Sequence, residues 1–418
     1  MKSFKVFTIK ESIPKEIFGF ERTQLARQNL LESLNIEHEI LINSIFTFLP
    51  NFVETLESLG FKNFYHVVLD KSEISRDKPS VKPSDIEEKE NIKLIKYTKN
   101  GYIGLVEYNN GIIECYTSSK LYSFNIRTEY FYLYNKNGDV ILEGDLSDNY
   151  HYYKSIDSTK IKTQWEILIE YLAQNSNVND KFFIDMVNKY PIQLRKFFRN
   201  TDRELISFTH YNILDPIMKF RLQKWCRNVV ASPVLENLLK NEVEFLPPIY
   251  VNEIKNKEYK NITNWCIVGN MSNIKRCNWA IEAFRRIPNI NLTIYGILPN
   301  KYKVSDLPDN VKYAGFLKDI PYNKHEGYLS CSMSECFANS AVEASSEGLV
   351  CLLSNTDLAH KYYKSICENT ETFNTFEDLL EKLKTYTKIG LYKSSKFSNN
   401  YRKDKVLDLY SNFLEKWR

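Results

Sequence analysis

The chain holds 418 residues, with 56 Lys and Arg against 52 Asp and Glu, a formal net charge of +4, and 43% hydrophobic residues. At about 100–200 residues per domain this allows two or three domains, and it excludes the disordered, collagen-like and disulfide-scaffold classes. The charge is too mild, and too free of long Lys/Arg runs, for a nucleic-acid backbone binder.

In chain order, Phe4–Ile9 reads as a strand, Glu21–Leu34 as a helix, and His38–Ile45 and Phe64–Leu69 as strands. A polar, Lys/Glu/Ser/Pro-rich stretch over about 72–90 then has linker chemistry. From Ile92 to Tyr153, aromatic and β-branched residues alternate around Asn100-Gly101, Asn110-Gly111 and Asn137-Gly138. Asn-Gly between such runs is a hairpin signal, so an antiparallel meander of about four to six strands is expected. The α/β rhythm resumes with helix Thr163–Gln174, strand Lys181–Val187, helix Ile192–Arg199 and strands Glu204–Thr209 and Asn228–Ala231. Apolar runs follow at Trp265–Gly269, Asn291–Gly296, Val311–Phe316, Gly327–Ser332 and Leu349–Ser354, with an amphipathic helix at Asn278–Ile287. Near-continuous apolar strands separated by helices imply a parallel sheet covered on both faces. The chain closes on an amphipathic helix, Lys405–Trp417.

The expected organisation is therefore α/β: two Rossmann-like domains facing a cleft, with the β-meander inserted in the first. Residues 1–84 and 159–252 form the N-terminal domain, 85–158 the insertion and 253–390 the C-terminal domain; 391–418 end in a helix packing back on the N-terminal domain. Ligands in such sheets bind at the carboxyl ends of the strands. Eight cysteines never form a C-x-x-C pair and only six His are present, so no metal site is expected. The N-terminus lacks a signal-peptide h-region and no apolar run approaches the ~18 residues of a membrane span, which points to a cytoplasmic chain.

The chemistry-bearing segment is Ser334-Glu-Cys-Phe-Ala-Asn-Ser-Ala-Val-Glu-Ala-Ser-Ser-Glu-Gly348, set between two apolar strands. Asn339 is a plausible N-cap and Gly348 a plausible C′ residue for the helix between them. Glu335 then lies in the loop and Glu343 one turn into the helix, around a helix N-terminus whose free N–H groups suit a phosphate. Carboxylates accept well from sugar and ribose hydroxyls.

Two acids eight positions apart, with Phe337 two after the first and Ala344 directly after the second, resemble the E-x7-E signature of family-four glycosyltransferases of the GT-B fold. The resemblance implies that Glu343 holds the nucleotide ribose, while Glu335 with Phe337, Ala338 and Asn339 addresses donor sugar and phosphate. Ala338 stands where that family usually has Gly. Val268-Gly-Asn-Met-Ser-Asn-Ile-Lys275 is similar to the family's V-G-R-x-x-x-x-K segment, which places Lys275 on the donor diphosphate. Asn270 occupies the Arg position, with Arg276 as the neighbouring cation that would replace it. Phe18-Gly19-Phe-Glu21 is similar to the family's G-G-x-E loop, and Ile206-Ser-Phe-Thr-His210 resembles its strand ending in a sugar-contacting His.

An early inserted meander looks like the branch that adds N-acetylglucosamine to serine-rich-repeat adhesins or glycosylates wall teichoic acid. The resemblance implies a retaining, metal-independent transfer of GlcNAc or glucose from a UDP-sugar, with no cofactor beyond that co-substrate. His210, Glu335 and Lys275 would be catalytic; Gly19, Asn270, Arg276, Phe337, Ala338, Asn339 and Glu343 would bind donor. Implied partners are the nucleotide sugar, a protein or teichoic acid acceptor, a homo-oligomer or hetero-complex through the meander, and the membrane surface; no nucleic acid is implied. The rival reading is a non-catalytic GT-B subunit that binds glycoprotein and assists an active transferase, favoured by Asn270.

Overall fold

A computed structural model describes residues 4–10, 19–43, 52–66, 91–97, 161–185, 192–209 and 226–238, the strands between 103 and 155, and 243–416 apart from 300, 336, 368–369, 389, 391 and 395–396. The chain opens with β1 (Lys5–Lys10), α1 (Gly19–Ser33), β2 (Glu37–Ile42), α2 (Phe52–Leu59) and β3 (Phe64–His66). Strands β4 (Ile92–Tyr97), β5 (Ile103–Tyr108), β6 (Ile112–Tyr116), β7 (Lys120–Asn125), β8 (Tyr130–Tyr134), β9 (Val140–Asp145), β10 (Tyr152–Ser155) and β11 (Ile161–Thr163) then follow one another. Next come α3 (Gln164–Asn175), β12 (Lys181–Asp185), α4 (Ile192–Asn200), β13 (Glu204–Thr209), β14 (Arg227–Val230), α5 (Pro233–Leu238), β15 (Glu244–Phe245) and β16 (Glu258–Tyr259). The remainder alternates: β17 (Asn264–Asn270), α6 (Cys277–Arg286), β18 (Asn291–Ile297), β19 (Val311–Gly315), β20 (Gly327–Ser330), α7 (Asn339–Ser346) and β21 (Val350–Ser354). It closes with α8 (Leu358–Ile366), β22 (Glu371–Phe373), α9 (Phe376–Tyr386), β23 (Tyr392–Lys393) and α10 (Lys403–Glu415).

Two compact units result. The first holds Met1–Glu16, Asn35–Ser207 and Lys224–Arg227; the second holds Ile17–Leu34, Phe208–Gln223 and Asn228–Arg418. In the first, parallel strands lie in the order β13-β12-β1-β2-β3. Phe7, Phe182 and Ile184 of this sheet pack with Trp165, Leu168 and Leu172 of α3 and Leu194 and Phe198 of α4. The start of α3 follows from its sequence: Thr163 accepts from the Glu166 N–H at 3.2 Å while Glu166 accepts from the Thr163 N–H at 2.7 Å, a capping box.

Among the described residues an antiparallel sheet runs in sequential order, β11-β10-β9-β8-β7-β6-β5-β4; seven of its strands, β4 to β10, lie within the expected insertion, more than the four to six expected. The Asn-Gly signals at 100–101, 110–111 and 137–138 lie outside the described residues, but each falls between two paired strands: β4/β5, β5/β6 and β8/β9. The other four connections carry no Asn-Gly, so counting that signal undercounts the hairpins. The last strand, β11, ends on the cap of α3.

The second unit is built on a six-stranded parallel sheet, β19-β18-β17-β20-β21-β22. Alternation along β17 sends Trp265 and Ile267 to one core, with α6 and α9, and Cys266 to the other, with α7 and α8. Gly296 on β18 faces Gly269 on β17, and a Cβ there would collide with the Gly269 carbonyl, its carbon 2.7 Å away. Helix α1 belongs to this unit: Ala26 packs against the second core, and α10 lies against α1. Among the described residues no helix is long and apolar enough to cross a membrane.

Candidate active site

In the order of the second sheet, successive strands run outward in one direction from β17 and in the other from β20. Their carboxyl ends therefore flank the topological switch point, the place where open α/β sheets bind ligands. β17 ends on the exposed Asn270, and the loop after it makes a 3-10 turn, Asn273–Lys275. The loop after β20 carries Glu335, Phe337 and Ala338 into α7. These two loops meet: Lys275 Nζ forms an ion pair with Glu335 Oε1, their side chains 28% and 18% exposed. Burial pushes the Glu335 carboxyl up, but Lys275, with His360 and a hydrogen bond from Ser332, outweighs it and holds it below the ordinary range.

Asn339 is the first helical residue rather than the N-cap. The cap is Ala338, in the left-handed region at φ 48° and ψ 47°, with no side-chain cap bond. That conformation costs about 1–2 kcal/mol for a residue with a Cβ, and explains the glycine usual there in the family resembled. The other end of α7 fits expectation: Gly348, at φ 85°, donates to Ser345 O at 2.9 Å, and Leu349 to Ala344 O at 3.1 Å, a Schellman pair. Phe337 is buried between Phe245 and Tyr401, at ring separations of 6.5 and 5.4 Å, and so anchors the loop.

Glu343 lies one turn into α7, where helical side chains lean toward the N-terminus. Arg22 of α1 donates through Nη1 to both its oxygens, at 2.6 and 2.7 Å, and the Tyr322 hydroxyl donates to Oε2 at 2.9 Å. Burial works against the Arg22 charge, and Glu343 more than restores it, leaving the guanidinium above its ordinary value. Burial likewise pushes the Tyr322 hydroxyl well up, so it stays a donor.

Arg276, the cation expected to replace an Arg at 270, is buried and already bonded. Its guanidinium donates to Cys331 O at 2.6 Å, to Ser354 Oγ and to Thr356 Oγ1 at 3.1 Å, and lies 4.2 Å over the Trp279 ring. Only 9% exposed, it ties the ends of β20 and β21 to the turn before α6, itself at φ 46°. Gly19 is the first residue of α1, and His210 lies outside the described residues.

Sequence reasoning gave no role to Arg22, Tyr322, Asp357 or His360. Asp357 accepts from the Glu335 N–H at 2.5 Å through Oδ2 and from the His360 N–H at 3.1 Å through Oδ1, capping α8 while fixing the Glu335 loop. His360 is fully buried; burial pushes its pKa down, and its ring donates from Nδ1 to Ser354 O at 2.9 Å. An Asp three residues before its backbone partner is a readable N-cap signal; the Arg22 contact, 321 residues away in sequence, has none. In the first unit, a cavity of about 660 Å³ lies at the amino ends of β1 and β2, lined by Lys5, Glu37, Glu39 and Lys62 among others.

Residues 263–375 match the family described as glycosyl transferases group 1. No curated protein sequence matches the chain. The chain is similar to the pneumococcal O-GlcNAc transferase GtfA, solved with UDP and GlcNAc: 12% identity, TM-score 0.77, 100% of this chain and 99% of that one. It is similar to TarM at 14% identity and TM-score 0.71, covering 98% of each chain. The solved complex of accessory secretory proteins 1, 2 and 3 from Streptococcus pneumoniae also has this fold: 9% identity, TM-score 0.61, with 99% and 98% covered. The chain thus has the fold of the GT-B glycosyltransferases, and within its second unit residues 263–375 match the glycosyl transferases group 1 family.

Proposed function

We propose that the chain is a UDP-sugar-dependent glycosyltransferase, moving N-acetylglucosamine, or alternatively glucose, to Ser/Thr hydroxyls of a surface glycoprotein. The observation that carries this reading is the Lys275–Glu335 pair between two loops at the switch point, the second of which leads into α7 with Glu343 one turn along. Lys275 and the loop N–H groups take up charge developing on the departing diphosphate, while Glu343 accepts from the ribose hydroxyls. With the diphosphate held on one face, it shields and deprotonates an acceptor hydroxyl arriving on that face, and the configuration is retained. His210 contacts the transferred sugar, no metal takes part, and the meander engages the acceptor or a second protein. Similarity to the O-GlcNAc transferase favours a protein acceptor, and similarity to TarM keeps wall teichoic acid as the alternative.

Asn270 supports a second reading, a non-catalytic subunit that assists an active transferase; the fold shared with the GtfA/B complex and the accessory secretory proteins fits it. A panel of UDP-sugars incubated with the purified chain separates the two. Hydrolysis of one donor supports the enzyme, whereas UDP-sugar binding without turnover supports the assisting subunit.

A further inference from the structure

This inference rests on the nucleotide reading of the site. The switch point pairs two acids with two cations: Lys275 with Glu335, and Arg22 with Glu343. Asn270 brings no charge, and Arg276, only 9% exposed, spends three of its five N–H groups on Cys331 O, Ser354 Oγ and Thr356 Oγ1 and lies over the Trp279 ring. A bound nucleoside diphosphate adds at least two negative charges to this neutral set, and Lys275 alone cannot balance them while paired to Glu335.

Arg22 has the free valence to do so. A guanidinium carries five N–H donors. Nη1 spends its two on Glu343, and Nη2 spends one on Lys318 O at 2.8 Å. The Nε–H and the second Nη2–H have no acceptor among the described residues, and the side chain is 22% exposed. Glu343 in turn keeps capacity: of about four lone-pair positions on a carboxylate, Arg22 takes two and Tyr322 one, which leaves one for a ribose hydroxyl.

We propose that Arg22 is a donor-binding residue: held in orientation by Glu343 and Lys318 O, it presents its remaining N–H groups to the diphosphate and supplies the cation missing at position 270. Glu343 then serves the nucleotide twice, through the ribose and through the arginine it holds. A planar fork pre-oriented by a carboxylate suits phosphate oxygens better than a lysine, whose charge is a mobile point.

The test is calorimetry of uridine and UDP against the wild type, Arg22→Gln and Arg22→Lys, with thermal melting to establish that each variant is folded. Arg22→Gln is expected to lose about tenfold or more in UDP affinity, with uridine affinity changed less than about threefold. Arg22→Lys should recover part of the loss. Equal losses for uridine and UDP would show that Arg22 only positions Glu343 and would overturn the proposal, as would unchanged or tighter UDP binding. Failure of the wild type to bind UDP would remove the nucleotide reading together with this inference; binding equal in wild type and Arg22→Gln would remove the inference alone.

Discussion

Replacing Lys275 with Met keeps the aliphatic stem and deletes the charge that compensates Glu335. Exposed ion pairs contribute about 0–1 kcal/mol, and loss of one partner of a fully buried pair costs about 3–5 kcal/mol. With side chains 28% and 18% exposed, this pair lies between, and a cost of about 2 kcal/mol at pH 7 is expected. Its pH dependence is more diagnostic than its size. In the wild type, the Glu335 carboxyl sits below its ordinary value, so the stability it contributes is full above the unfolded carboxylate value, ~4.3, and is lost as pH falls through the lower folded value. In the variant, burial is left with less opposition and the carboxyl rises above its unfolded value. Its penalty is then full at neutral pH and is relieved as pH falls through the raised value. Urea midpoints of the two proteins between pH 7 and 4.5 should therefore converge as the pH drops. A gap constant across that range, or no gap at pH 7, would refute the electrostatic account of the loop.

Gly296→Ala should cost about 3 kcal/mol or more, because the new Cβ meets the Gly269 carbonyl and the backbone stands at φ 124°; Gly315→Ala, with nothing within 4 Å of its Cβ but a left-handed backbone at φ 72°, is the milder control at about 1 kcal/mol. Thermal melting ranks the two, and equal shifts would contradict the close strand approach. Asp357→Ala removes the cap of α8, about 1 kcal/mol, and the acceptor of the Glu335 N–H, about 1–3 kcal/mol. Asp357→Asn, keeping one carbonyl oxygen, should fall between it and the wild type in urea denaturation; a variant indistinguishable from Asp357→Ala would show that the two bonds are not separable.

The second unit was the more legible half because its signals are local. Trp265–Gly269 and Leu349–Ser354 are short apolar runs that could only be buried strands, and Glu335 and Glu343 follow from a single loop and helix. Asn339 was misplaced as the cap because side-chain chemistry favours Asn there, while the chain turns one residue earlier through a strained Ala338. Arg276 reads as a spare cation in sequence, whereas in the fold it is buried and bonds three acceptors from two other strand ends. Arg22 and Tyr322 reach Glu343 from separate segments, and such convergence leaves no spacing to read. The meander shows the same limit: Asn-Gly marks three of its seven connections, and the rest turn on less distinctive residues.

The central claim is that Glu343 and its loop hold a uridine nucleotide. Titration calorimetry of UDP into the wild type and into Glu343→Ala tests it most directly. Loss of the ribose contact and release of Arg22 together predict at least a tenfold weaker affinity in the variant. Equal affinity in the two proteins would contradict the assignment.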